Sequence, residues 1–244
     1  MTPPPLLPSN AALFLDFDGT LAPLQADPDA VRLDAPTSAI IEAMSLRLSG
    51  ALILLSGRDI RDLSRRTPAN VWRAGGHGLE VCRPGETPMS QPEPAPGVLQ
   101  SALTTFAERH DGVRLEVKGP VLAVHYRQAP EKADMVFQAV GDAVDNTPGY
   151  KAQSGKMVVE AKPETANKGI ALQRQMAESS FKGRIPVMVG DDTTDEDAFA
   201  AAAALGGWAV KVGDDGDTLA RHRLASTQSV ALWLENSLSS QDRA

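Results

Sequence analysis

Short, largely apolar runs occur at residues 11–15, 51–55, 185–189 and 208–212, as expected for strands buried on both faces of a parallel sheet. Between the first two runs, Ile40, Ile41, Met44 and Leu48 recur at helical spacing, and Gly50 closes the pattern. The same grammar returns after residue 165. A helix is predicted from about 168, carrying Ile170, Leu172 and Met176, and a second over 195–204. Strands alternating with helices predict an α/β core, a parallel sheet with helices on both faces.

The middle of the chain follows a different rule. Residues 113–118 and 121–127 alternate strictly, with Val113, Leu115 and Val117 opposing Arg114, Glu116 and Lys118, and Leu122, Val124 and Tyr126 opposing Ala123, His125 and Arg127. Such strands belong to a sheet with one covered face and one open face. A helix over 131–144, with Met135, Val136, Ala139 and Val140, supplies the cover, and a strand at 156–160 extends the sheet. The chain is therefore expected to divide into a first core segment 1–79, an inserted α+β domain 80–161 and a second core segment 162–244. Residues 83–97 contain five prolines and read as a loop into the insertion, while residues 1–10 read as a loose N-terminal arm.

Composition narrows the class of function. A chain of 244 residues with 42% hydrophobic content can bury a real core. A formal net charge of -7 argues against a broad nucleic-acid footprint, because such surfaces are normally basic. No apolar run approaches the ~18 residues of a membrane span, and the first ten residues lack the basic start and apolar stretch of a secretory leader. The single cysteine, Cys82, can form neither an internal disulfide nor a Cys-x-x-Cys site, so the cytoplasm is the expected compartment.

Two acidic clusters carry the candidate chemistry. Asp16 and Asp18 follow the first strand, with Gly19 permitting a tight exit, and Asp191, Asp192 and Asp195 follow the strand at 185–189. In open α/β sheets ligands gather at the carboxyl ends of strands, so these groups can converge. Carboxylates massed there repel one another unless a cation sits among them, and oxygen ligands suit Mg²⁺. Ser56-Gly57-Arg58 ends the second strand just ahead of a helix whose free N–H groups could hold a phosphate. Lys168 follows Asn167, a natural N-cap, and sits in the first turn of a helix, where the dipole disfavours a cation. A residue placed against its local preference points to a tertiary role.

Asp16-x-Asp18-Gly19-Thr20, Ser56, Lys168 and Gly190-Asp191-Asp192-x-x-Asp195, in that order, resemble the four motifs of the haloacid dehalogenase-like phosphatase superfamily. More narrowly, Leu-Ser-Gly-Arg at 55–58, Gly-His-Gly-Leu-Glu at 76–80, Glu-x-Lys-Gly at 116–119, Val-His-Tyr-Arg at 124–127 and Asp-Asp-x-Thr-Asp-Glu at 191–196 resemble the trehalose-6-phosphate phosphatases. The resemblance implies a Rossmann-like core, an inserted α+β cap with an open-faced sheet, and Mg²⁺-dependent hydrolysis of trehalose 6-phosphate through an aspartyl-phosphate. It implies Asp16 as nucleophile and Asp18 as general acid and base. It implies Mg²⁺ on the Asp16 side chain, the Asp18 main-chain carbonyl and Asp191. It implies that Ser56 and Lys168 hold phosphoryl oxygens and that Asp195 orients Lys168 or the metal waters. It implies that Glu116, Lys118 and Glu160 grip glucose hydroxyls, with Arg58 on the phosphate side.

Each residue also has a plainer reading. Asp16 and Asp18 alone could be a turn and cap pair. Asp195, Glu196 and Asp197 suit any helix's first turn, Ser56 any N-cap, and Glu116, Lys118 and Glu160 any solvated strand. His77 and His125 read as structural, since no metal-ligand spacing joins them. Rival functions are another sugar-phosphate phosphatase or phosphomutase, a silent sugar-phosphate binding protein, and a phospho-acceptor signalling domain. The expected partner is a small sugar phosphate, without nucleic acid or membrane, and a monomer is favoured.

Overall fold

A computed structural model of the chain describes residues 2–25, 27–155, 157–213 and 216–239. The strands are β1 (Ala11–Leu15), β2 (Leu52–Leu55), β3 (Trp72–Gly75), β4 (Glu80–Cys82), β5 (Arg114–Lys118), β6 (Val121–His125), β7 (Tyr150–Gly155), β8 (Val158–Pro163), β9 (Ile185–Gly190), β10 (Trp208–Val212) and β11 (His222–Leu224). The helices are α1 (Ala35–Arg47), α2 (Ile60–Arg66), α3 (Gly97–Glu108), α4 (Ala133–Asp145), α5 (Lys168–Gln175), α6 (Glu196–Ala204) and α7 (Thr227–Ser239). Two compact units result, Met1–Pro88 with Asn167–Ala244, and Met89–Ala166.

The first unit is built on a seven-stranded sheet in the order β11-β10-β9-β1-β2-β3-β4, parallel throughout except where β4 turns back antiparallel on β3. β1 lies between β9 and β2, in register Leu15↔Val189 and Leu15↔Leu54. All five of its side chains are buried, the reason its sequence is apolar at every position. Ile41 and Met44 of α1, Phe199 of α6, and Val230 and Leu234 of α7 pack into the same core. Asp34 caps α1, accepting from Thr37 N at 2.7 Å, and Gly50 ends the pattern beyond it at φ +82°.

The second unit is an antiparallel sheet in the order β5-β6-β8-β7. Leu122 and Val124 of β6 and Val159 of β8 meet Leu99 and Leu103 of α3 and Val136 and Val140 of α4. Two helices therefore cover the apolar face where the alternation predicts one. The i, i+4, i+7 spacing of Leu99, Leu103 and Phe106 carries the signal for α3, hidden behind the proline-rich loop. Val117 keeps its expected face, opposite the buried Leu122, yet stays half exposed near the end of the edge strand β5, which has a neighbour on one side only.

Three further expectations change. The division falls at 88/89 and 166/167 rather than 79/80 and 161/162, because β4 pairs with β3 in the large sheet and holds its segment there. The strand expected at 156–160 is β8, displaced to Val158–Pro163; position 156 lies outside the described residues. The N-terminal arm is pinned: Leu7 is buried, its N–H donates to Ser237 Oγ at 3.2 Å, and Trp233 Nε1 donates to the Pro5 carbonyl at 2.9 Å.

Candidate active site

The strand ends bring one group of motifs together. Asp16 continues β1, its N–H donating to the Val189 carbonyl at 2.9 Å, and its side chain is buried. Phe17, next along, enters an apolar cluster with Val31, Ile60 and Leu63. Gly19 then takes φ +77°, and a Cβ there would stand 2.1 Å from Asp191 Oδ2. Both its conformation and the proximity of Asp191 demand glycine. Thr20, fully buried, donates from Oγ1 to Asp191 Oδ1 at 3.2 Å.

Lys168 answers the question raised by its position at a helix N-terminus. Asn167 caps α5, accepting from Gly169 N at 2.8 Å and Ile170 N at 3.1 Å, and the buried ammonium donates to Asp16 Oδ1 and Asp195 Oδ1, each at 2.6 Å. Burial alone would lower the Lys168 pKa, but the charges of Asp16 and Asp195 outweigh it and raise it. Asp195 uses its second oxygen to accept from Asp192 N at 3.0 Å, in a capping box on the Thr193–Asp195 turn. It thus serves as both helix cap and lysine partner. Gly190 leaves room for it, since a Cβ there would lie 2.3 Å from Asp195 Cγ.

Asp16, Asp191 and Asp195 each offer an oxygen, all within 4.8 Å of one another. Burial first, with Asp195 and Asp191 adding repulsion, holds the Asp16 carboxyl well above its ordinary range despite Lys168. Burial and Asp195 likewise push Asp191 up. One ammonium among three carboxylates leaves negative charge uncompensated, so this donor set fits a hard divalent cation such as Mg²⁺. The Asp18 side chain stands outside the group, with both oxygens engaged elsewhere.

Those oxygens meet Arg58, whose Nε donates to Asp18 Oδ2 at 2.7 Å and Nη2 to Oδ1 at 2.6 Å, while Nη1 donates to Asp62 Oδ2 at 2.8 Å. Arg58, expected on the phosphate side, has its fork turned to these acids. Ser56 is buried beside β1's end and its Oγ accepts from Arg58 N at 3.1 Å. At the start of the helix after it, Asp59 caps α2 and takes the N–H of Arg61 at 2.8 Å. The main-chain N–H of His77 donates to the Ser56 carbonyl at 2.9 Å, and its ring lies against Gly57.

A second group gathers on the inserted sheet. Register aligns Glu116 with Ala123 and Ala123 with Glu160, so two carboxylates flank a residue too short to fill the space between them. Lys118 Nζ reaches Glu116 Oε2 at 3.4 Å and Glu160 Oε1 at 3.9 Å. His125, read as structural from the sequence, places Nε2 2.8 Å from Glu116 Oε2 in this cluster. Lys211, also missed, is buried on β10 and donates to the Asp191 carbonyl at 2.6 Å. A lysine inside Ala209-Val210-Lys211-Val212 was its signal.

Residues 14–226 match the family model described as Trehalose-phosphatase. The chain is similar to a trehalose-6-phosphate phosphatase of Escherichia coli (strain K12), 37% identical over 238 residues, covering 96% of this chain and 89% of the relative. It is similar to a probable trehalose-phosphate phosphatase of Sinorhizobium fredii, 38% identical over 207 residues, covering 84% and 78% respectively. Among solved structures, the C-terminal domain of a C. albicans trehalose-6-phosphate phosphatase shares the fold at TM-score 0.77 and 22% identity, covering 94% of this chain and 92% of that one.

Proposed function

We infer the reaction from one premise: the chain belongs to the trehalose-phosphatase family. It is a phosphoric monoester hydrolase that releases trehalose and phosphate from trehalose 6-phosphate, in trehalose biosynthesis. The observation that carries the chemistry is the buried Asp16–Lys168–Asp195 arrangement beside Asp191.

Asp16 is the proposed nucleophile. Lys168 holds its Oδ1, which fixes the carboxylate's rotation and leaves the other oxygen to attack phosphorus. As the P–O bond to the sugar breaks, Asp18 gives its proton to the departing oxygen. It then takes a proton from water as that water attacks phosphorus, and the Asp16 carboxylate is released. Ser56 Oγ, which accepts from Arg58 N, keeps its O–H free to donate to a phosphoryl oxygen. Lys168 contributes a second positive donor. Mg²⁺, held by the Asp16 side chain, the Asp18 main-chain carbonyl and Asp191, would keep the crowded carboxylates ionised and draw charge from the phosphoryl oxygens. Glu116, Lys118 and Glu160, with His125 beside them, are the proposed glucose-recognising groups of the inserted domain.

The cytoplasm is the proposed compartment, in keeping with the free, buried Cys82, and a monomer the proposed state. Among the described residues no helix is long and apolar enough to cross a membrane. The test is phosphate release from trehalose 6-phosphate, glucose 6-phosphate, sucrose 6-phosphate and an aryl phosphate, each with Mg²⁺ and with chelator. Chelator-sensitive preference for the first is expected. Preference for another ester would discard the substrate, and silence on all four would leave a binding protein.

A further inference from the structure

Asp62 lies outside every motif that carries the chemistry, yet three arginines converge on it. Its Oδ2 accepts from Arg58 Nη1 and Arg66 Nε, each at 2.8 Å, and its Oδ1 lies 2.7 Å from Arg66 Nη2. Arg65 Nη2 adds a longer bond to Oδ1 at 3.2 Å. Arg66 is itself anchored, with Nη1 donating to the Val31 carbonyl at 2.7 Å and the Asp29 carbonyl at 3.0 Å. A continuous line of charge-assisted bonds therefore runs from the loop at 29–31 through Arg66, Asp62 and Arg58 to Asp18.

The chemistry of each link says what the line does. An arginine side chain has many rotamers, and a pair to Asp18 alone would fix only one edge of its guanidinium. Asp62, one helical turn beyond Arg58, takes the remaining edge, and the Phe17 ring lies 5.5 Å below the guanidinium carbon. The fork then has one orientation. The hydrogen bonds that Arg58 donates to Asp18 first, with those to Asp62 adding to them against the cost of burial, raise the Arg58 pKa, so its charge is permanent. Arg58 Nε and Nη2 occupy one lone pair on each Asp18 oxygen, which leaves the others free to meet a proton or a leaving oxygen. Such an arrangement aims a carboxyl group without consuming it.

We propose that Arg58 and Asp62 are positioning residues for Asp18: Asp62 locks the Arg58 fork, and the fork sets the plane of the Asp18 carboxyl group for proton transfer to and from the sugar oxygen. This rests on the reading of Asp18 as general acid and base, and it replaces the expectation that Arg58 contacts substrate.

The experiment compares the full-length protein with Asp62→Ala, Asp62→Glu, Arg58→Lys and the Arg58→Lys/Asp62→Ala double variant. The readouts are kcat/KM for trehalose 6-phosphate, kcat/KM for an aryl phosphate, and the inhibition constant of trehalose 6-sulfate. Misaiming Asp18 is expected to lower kcat/KM for the sugar ester about ten- to a hundredfold in Asp62→Ala. The loss should be several times smaller for the aryl ester, whose leaving group needs less protonation. Trehalose 6-sulfate should bind within about twofold of wild type, Asp62→Glu should recover most of the loss, and the double variant should fall little below Arg58→Lys alone. Inhibition weakened in step with kcat/KM would overturn the proposal by making these residues substrate contacts. Equal losses on both esters without rescue by glutamate, or additive losses in the double variant, would also overturn it. Should Asp62→Ala not fold, the same cycle is run with Asp62→Asn. Asp18→Asn is the control: an inactive Asp18→Asn beside wild-type rates in the Asp62 variants refutes this proposal alone, whereas an active Asp18→Asn refutes the acid-base reading beneath it.

Discussion

Charge is handled in opposite ways at the ends of β1, α5 and β9 and on the polar face of the inserted sheet. In the first region the Lys168, Asp16 and Asp195 side chains are 3%, 6% and 0% exposed, and every bond among them is 2.6 Å. In the second, the Lys118, Glu116 and Glu160 side chains are 43%, 41% and 20% exposed, and the lysine spans 3.4 and 3.9 Å to its partners. Charges removed from water cannot be left unmatched, so the first set holds one geometry. Charges that keep their water are stable with loose partners, and can trade those partners for the hydroxyls of a sugar. Rigidity suits the proposed attack of Asp16 on phosphorus, and adaptability suits the proposed grip of the inserted sheet on a polyol.

The sharpest way to break this comparison is Asp16→Asn. It should lower turnover at least about 10⁴-fold, with sugar-phosphate binding by calorimetry largely retained. Near-normal turnover would remove Asp16 as nucleophile and reduce the buried cluster to a structural ion pair. Next in size is Lys168→Met, which leaves Asp16 and Asp195 facing each other without their shared cation. A loss of about 3–5 kcal/mol in urea unfolding is expected, together with loss of activity. Stability within 0.5 kcal/mol of wild type, the usual range for a surface change, would contradict the buried and mutually dependent reading.

The sequence conveys these two regions unequally, for a physical reason. Uniformly apolar runs and the order Asp16, Ser56, Lys168, Asp191 are local facts, and the parallel sheet that unites them follows from strand-helix alternation. Side-chain partners are not local. Nothing near Arg58 says that its fork turns to Asp18, forty residues away, and nothing near His125 says that it lies against Glu116, because the pairing of strands decides both meetings. Of the elements that escaped the pattern, β3, β4 and β11 are short and α3 adjoins a segment read as loop, but the six-residue β7 and the 13-residue α7 escaped as well. The buried arm at Leu7 escaped because its partners, Ser237 and Trp233, lie about 230 residues away.

On the inserted sheet, Glu116→Ala and Glu160→Ala should each lower kcat/KM for trehalose 6-phosphate roughly tenfold to a hundredfold, as expected when a site loses a buried polar contact to its ligand. An aryl phosphate should be hydrolysed within about twofold of the wild-type rate, and thermal stability should barely change. Equal loss on both esters would refute a recognition role and make this face part of the fold's stability.

The smallest effect is expected at His125, and it separates holding a sugar from holding the residue that holds it. Burial pushes the Glu116 carboxyl up, but the His125 hydrogen bond and the Lys118 charge outweigh it and keep the group below its ordinary range. Glu116 is thereby an acceptor with one close partner, His125, and one looser one, Lys118. Without the imidazole it keeps Lys118 but gains a rotamer, so His125→Ala should raise KM for trehalose 6-phosphate roughly threefold to tenfold while kcat changes little. His125→Gln retains an N–H donor and should recover part of that rise. A His125→Ala defect as large as that of Glu116→Ala, without recovery by glutamine, would make the imidazole itself a sugar contact. An unchanged KM would mean that Lys118 alone orients Glu116, and that even on this loosely paired face one charged partner is enough to define a binding geometry.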